Sequence, residues 1–130
     1  MAEETPPPRV RPGIRSAPRI RQVYWCDFAE DAQLPEFWKR RPVLILSKNS
    51  TLYGKVTVLP FTTKSQPDNP SAYPIVSPLD GQRAWVICDY LTTVAVSRLH
   101  MPGRAVPRVE QADFNRIVAL ALQGLPQPDY

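Results

Sequence analysis

The sequence predicts a mainly antiparallel β domain, a small barrel or sandwich, capped by one C-terminal helix. Three observations carry that expectation. Short β-branched and aromatic runs follow one another from Gln22 onward, separated by turn residues. Sixteen prolines stand against five glycines in 130 residues, more than twice the average proline share of about 5%, which argues against long helices. A helical period of apolar residues occurs once, near the end. Strand-helix-strand alternation and internal repeats are both absent, so neither a parallel sheet nor a solenoid is expected.

Residues 1–21 (MAEETPPPRVRPGIRSAPRIR) combine five prolines and five arginines with little apolar content. They bury too little to offset ordering entropy and are expected to form a disordered arm, either a solvated tail or an electrostatic tether for phosphates. The folded domain is expected over 22–126, with a short tail at 127–130. Strands are predicted at 22–28 (QVYWCDF), 41–47 (RPVLILS) and 55–61 (KVTVLPF), the last following a turn at 49–54. A shorter one is expected at 73–76. The turn Pro78-Leu79-Asp80-Gly81 then leads to 83–89 (RAWVICD), and Thr92-Thr93 lead to 94–99. Pro60 suggests an edge or a bulge in its strand. Phe114, Ile117, Val118, Ala121 and Leu125 share one face of a helix predicted over 110–123, with Gly124 as C-cap and Pro126 beyond.

A chain that is 43% hydrophobic and 22% charged can fill one modest core, which excludes both a wholly disordered chain and a multi-domain machine. The net charge of +4 resides mostly in the arm, so the folded part is nearly neutral and charge alone does not argue for nucleic acid. Cys26 and Cys88 lie in apolar runs without CxxC spacing, as buried thiols do; a disulfide framework or structural zinc is not expected. Apolar runs fall short of the ~18 residues of a membrane span, and a secretory h-region is absent, so a cytoplasmic protein is expected. The one histidine, His100, reads as a loop residue, and without a GxSxG elbow a Ser-His-Asp triad has no support. Asp27, Asp31 and Asp89 lack metal-ligand spacing, and glycine-rich phosphate loops are missing; neither metal nor cofactor is expected.

The polar, proline-bearing segments 29–40 and 62–72 are the loops placed to carry function. One of them ends in Glu36-Phe37-Trp38-Lys39-Arg40-Arg41-Pro42, and the other opens a stretch Thr62-Thr63-Lys64-Ser65. A guanidinium at the mouth of a buried strand, beside a hydroxyl-rich loop, suits a phosphate. Trp38, Phe37 and Tyr73 offer faces on which unpaired bases stack, or else belong to the core.

Read together, QVYWCDF, RRPVLILS, VTVLPFTTKS and WVICDYLTTVAVSRL resemble the ordered signatures of the MazF/PemK (Kid) family of toxin endoribonucleases, over about residues 20–125. The resemblance implies an SH3-like barrel of the MazF/PemK/CcdB type with a C-terminal helix. It also implies a homodimer, a cognate antitoxin that alone contacts operator DNA, and metal-independent cleavage of single-stranded RNA to 2′,3′-cyclic phosphate and 5′-OH ends. Carried over by position, Arg41 is the arginine of the R-P motif and stabilises the reacting phosphate, with Thr62 as a second contact. Glu36 and Asp89 match carboxylates that are candidate general bases. Arg40, Lys39, Trp38, Lys64 and Thr63 are the expected substrate contacts. The sequence departs from the Kid pattern at Ile87 and Pro35, where an arginine and a histidine stand, and in Trp38-Lys39-Arg40, where a glycine is usual. Those losses keep a second reading open, a catalytically silent nucleic-acid- or protein-binding regulatory module of the same fold. Gyrase poisoning, as by the related CcdB toxins, is not expected, because the C-terminal segment lacks their tryptophan.

Overall fold

Alternate residues of a strand face opposite ways, so a run such as Val43-Leu44-Ile45, buried throughout, needs an apolar layer on each side of its sheet. The structure, a computed structural model that describes residues 4–129, supplies both layers. Its elements are β1 (Val23–Asp27), β2 (Arg40–Ile45), β3 (Lys55–Thr62), β4 (Ala72–Val76), β5 (Arg83–Ile87), β6 (Thr92–Ala95), a 3-10 turn at Val96–Arg98, β7 (Leu99–His100) and α1 (Gln111–Gln123). All strand pairings are antiparallel, in the order β4-β5-β3-β2-β1-β7, with β6 added beside β3. The fold is thus mainly antiparallel β with one C-terminal helix, a curled, barrel-like sheet. Among the described residues no pairing joins β4 to β7, so the ring of hydrogen bonds stays open.

One layer packs Val23, Leu44, Leu59, Phe61 and Val86 against Phe114, Ile117 and Ala121 of α1. Tyr73 ties that helix to β4 by donating its hydroxyl to Asp113 Oδ1 at 2.6 Å. The other layer packs Tyr24, Cys26, Val43, Ile45, Val56 and Val58 against Val96 and Leu99. At roughly 1.5–3 kcal/mol for each large side chain withdrawn from water, these two layers are the main source of stability.

The helix starts where its period predicts, with Glu110 as N-cap, and ends at Gly124, whose φ of −76° is right-handed and does not require glycine. Leu125, expected on its buried face, is half exposed. The predicted strand at 94–99 divides into β6, the 3-10 turn and β7, because the chain must leave β3 to pair with β1. Pro60 is in neither an edge strand nor a bulge. It sits in the central β3, between Val58, where pairing to β6 ends, and Phe61, where pairing to β5 begins.

Part of the segment expected to be a disordered arm is docked on the domain. Ile14 is 5% exposed within the second layer, and Pro18 is buried. Arg21 donates its backbone N–H to Ile45 O at 3.1 Å and accepts from Val109 N at 2.8 Å. A single isoleucine inserted into a preformed apolar layer offsets ordering entropy that the composition of the segment as a whole does not.

Candidate functional site

The β2–β3 register ends with Val43 paired to Pro60, and Arg41 and Thr62 each lie two residues beyond that pair on their strands. Arg41 is held in place from one side by its own loop: its Nε donates to Trp38 O at 3.1 Å, and its guanidinium lies 4.6 Å from the Phe37 ring centroid. Burial lowers the Arg41 pKa, but an arginine so shifted stays charged at neutral pH. Thr62, 7% exposed, accepts from the Lys64 backbone N–H at 3.2 Å, which leaves its own hydroxyl hydrogen for another partner.

A cavity of about 180 Å³ opens between the two strands and brings together Lys39, Arg40, Arg41, Thr62 and Thr63. Ser77 and Asp80, from the β4–β5 turn, close its far side and were not anticipated from the sequence. Lys39 reaches it through a backbone φ of +61°, the left-handed turn that swings the chain from Trp38 into β2. Trp38 itself is half exposed and serves the cavity through its carbonyl; the Lys39 ammonium lies 5.3 Å from its ring. Lys64 is exposed beyond the end of β3.

Glu36 and Asp89 stand outside this cavity. Glu36 accepts the Gln33 backbone N–H at 2.7 Å, closing a turn of the β1–β2 loop, and lines the larger hollow between that loop and β6. Asp89 is exposed in the β5–β6 turn, three residues past Val86 and on the opposite side of it from the Trp85 partner of Thr62. The neighbours of these two carboxylates do meet: Phe37 donates its N–H to Tyr90 Oη at 2.9 Å, and their rings stack edge to face at 4.7 Å. Phe37 therefore has Arg41 on one side and Tyr90 on another.

A second cluster was invisible in the sequence. The β1–β7 register pairs Trp25 with His100, and this brings His100 Nε2 within 2.6 Å of Asp27 Oδ2. A carboxylate only accepts, so Nε2 carries the hydrogen. Arg40 Nε donates to Asp27 Oδ1 at 2.8 Å, and Arg98 Nη1 to the Asp27 carbonyl at 3.4 Å. The Arg40 hydrogen bond first, then that of His100, holds the Asp27 carboxyl below the usual range, and the same contact raises the Arg40 pKa. Asp27 and His100 are 73 residues apart, so no local pattern connects them.

The charge of Arg40 is thus shared with Asp27, whereas among the described residues no carboxylate is in ion-pair contact with Arg41. Cys26 and Cys88 are buried, and burial pushes both thiols up to about 12. Among the described residues no three His, Cys, Asp or Glu side chains gather as a metal-ligand set, and no helix is long and apolar enough to cross a membrane.

Several known proteins share this arrangement of strands. The family described as PemK-like, MazF-like toxin of type II toxin-antitoxin system matches residues 19–123. An endoribonuclease in complex with its cognate antitoxin, from a mycobacterial species, is 25% identical at a TM-score of 0.63, covering 86% of this chain and 100% of that one. A mycobacterial endoribonuclease is 26% identical at a TM-score of 0.61, covering 86% and 96%. MazF from Deinococcus radiodurans, in its Form-I crystal, is 17% identical at a TM-score of 0.65, covering 84% and 96%, and bears on the fold alone. No curated protein matches. With the matched family spanning both sheet layers, the Arg41 cavity and the helix, this chain belongs to the PemK-like, MazF-like toxins of type II toxin-antitoxin systems.

Proposed function

We propose that this chain is a toxin endoribonuclease that cleaves single-stranded RNA without a metal, leaving 2′,3′-cyclic phosphate and 5′-OH ends. The observation that carries the reading is the meeting of Arg41 and Thr62 at one cavity, with Lys39 and Arg40 at its rim. In this reaction the ribose 2′-oxygen attacks the adjacent phosphorus, the P–O5′ bond breaks, and negative charge gathers on the phosphorane oxygens. The Arg41 fork, fixed by Trp38 O and Phe37, and the free hydroxyl hydrogen of Thr62 stabilise that charge from positions set before substrate arrives. The nucleophile is internal to the RNA, so charge stabilisation and two proton transfers complete the chemistry.

Glu36 and Asp89 are the proposed acceptors of the 2′-hydroxyl proton. The Phe37–Tyr90 contact joins the two segments that carry these carboxylates, and the Phe37 ring also supports the Arg41 guanidinium. Arginine hardly deprotonates, so the leaving 5′-oxygen takes its proton from water or from a neighbouring group. The protein acts in the cytoplasm as a homodimer and is restrained by an acidic antitoxin that competes for the phosphate sites; operator DNA is reached only through that antitoxin. The antitoxin-bound relative of 25% identity supports this partner.

A second reading, a silent binding module, is favoured by the placement of Glu36 and Asp89 outside the cavity. One experiment separates the two. Wild-type protein incubated with a long mixed-sequence RNA in EDTA is expected to make discrete cuts with 5′-OH ends, and folded Arg41→Ala to lose nearly all of them over the same time. Intact RNA with the wild type would establish the silent module.

A further inference from the structure

We infer that the docked N-terminal arm walls a flanking subsite for the sugar-phosphate backbone of single-stranded RNA, linked to the Arg41 cavity through the Asp27–Arg40 pair. The inference rests on RNA being the substrate, as proposed above. The arm lies outside the region shared with the family, which begins at residue 19, yet it is anchored at both ends of its course. Ile14 is sunk in the second apolar layer, and Arg9 Nη1 donates to Tyr53 O at 3.3 Å. Between the arm and the strands runs a groove of about 1120 Å³, walled by residues 6–10 on one side and by 52–55 and the β6 to 3-10 segment on the other.

Its chemistry is that of a phosphate track. Arg9, Lys55 and Arg98 line it, and Arg11 and Arg15 are exposed further along the arm. Asp27 is the one carboxylate on its wall among the described residues, and that charge is already committed to Arg40 and His100. Arg9 spends one of its five N–H donors on Tyr53 O. Tyr53, 69% exposed, offers a face for an unpaired base. The groove also leads to the right place. It shares Asp27, Thr93, Val94, Ala95 and Arg98 with the hollow under the β1–β2 loop, and Asp27 bonds Arg40, which lines the Arg41 cavity.

An extended peptide is the poorer occupant. Pro6, Pro7 and Pro8 have no backbone N–H to donate, so that stretch of the arm cannot add a strand. A chain whose charge repeats along a flexible backbone needs no such ladder.

The test uses full-length protein and 2′-O-methyl oligoribonucleotides, which lack the nucleophile and cannot be cleaved. One is long; the other spans only the Arg41 cavity. Wild type is expected to bind the long probe about tenfold more tightly, with a steeper dependence on salt of about 0.7 per phosphate contacted. Arg9→Glu with Arg11→Glu should erase that preference while leaving the short probe's affinity and the thermal transition unchanged, and Arg9→Lys with Arg11→Lys should restore it. A preference for the long probe that survives charge reversal overturns the inference. So does charge reversal that weakens only an acidic peptide, which would assign the groove to a protein partner. Failure of the wild type to cleave unmodified RNA would instead overturn the proposed function, and the binding comparison would still judge the groove.

Discussion

Arg41 differs from its neighbour Arg40 in being fixed without a carboxylate. Trp38 O and the Phe37 face orient it and leave its charge uncompensated, which is what a stabiliser of developing phosphorane charge requires. Arg41→Ala is therefore expected to lower the cleavage rate about 10²–10³-fold with an unchanged circular dichroism spectrum. Arg41→Lys should recover only part of that, because a lysine lacks the planar fork. Asp27 makes a separate prediction with a definite sign. Its folded-state carboxyl lies below its ordinary value, so its contacts with Arg40 and His100 stabilise the fold above about pH 4 and are lost as the pH falls from there. Asp27→Asn is expected to flatten the acid side of a plot of Tm against pH and to leave its slope at pH 7 unaltered. An unchanged acid limb would show that the contact adds nothing to stability.

At the scale of the element, the β1–β2 connection holds one of the three left-handed non-glycine residues among the described residues. Lys39 adopts φ +61°, and a left-handed non-glycine residue costs about 1–2 kcal/mol. Lys39→Gly should leave Tm unchanged or raise it, and Lys39→Val should lower stability by about 1 kcal/mol more than Lys39→Ala; thermal melts check both. The helix makes a simpler case. Ile117 is fully buried at the centre of the α1 contact with the sheet, so Ile117→Ala should cost about 2–5 kcal/mol in a denaturant titration. A cost below 1 kcal/mol would mean that the helix is not integral to that layer. These elements were legible because their signals are local: the 3.6-residue period fixed α1 to within a residue, and the β-branched runs located β1 to β5 to within a few. The 94–99 run reads as one strand in the sequence because its break depends on β7 pairing with β1, a contact that its own residues do not encode.

Over the whole molecule, each cysteine meets solvent only when its own apolar layer opens. Cys26 and Cys88 belong to different layers, and burial holds both as un-ionised thiols with values near 12. Their reaction with a thiol-specific reagent at pH 8 is expected to be slow and to track global unfolding, both thiols becoming reactive together in denaturant. Prompt reaction of one thiol in native conditions would show that its layer opens independently.

What the sequence by itself determined is the inventory and its order: short strands, then one helix, a loop ending in Arg40-Arg41-Pro42, a strand ending in Thr62-Thr63, and the resemblance those blocks carry together. Each follows from residues near one another in the chain. Only the tertiary structure decided that Arg41 and Thr62 share a cavity that Glu36 and Asp89 do not line, that Asp27 meets His100 across 73 residues, and that Ile14 pins a proline-rich arm to the sheet. Those facts depend on strand register and on which apolar layer has room for one more side chain. Both are set by packing between distant segments, where local preference has no say.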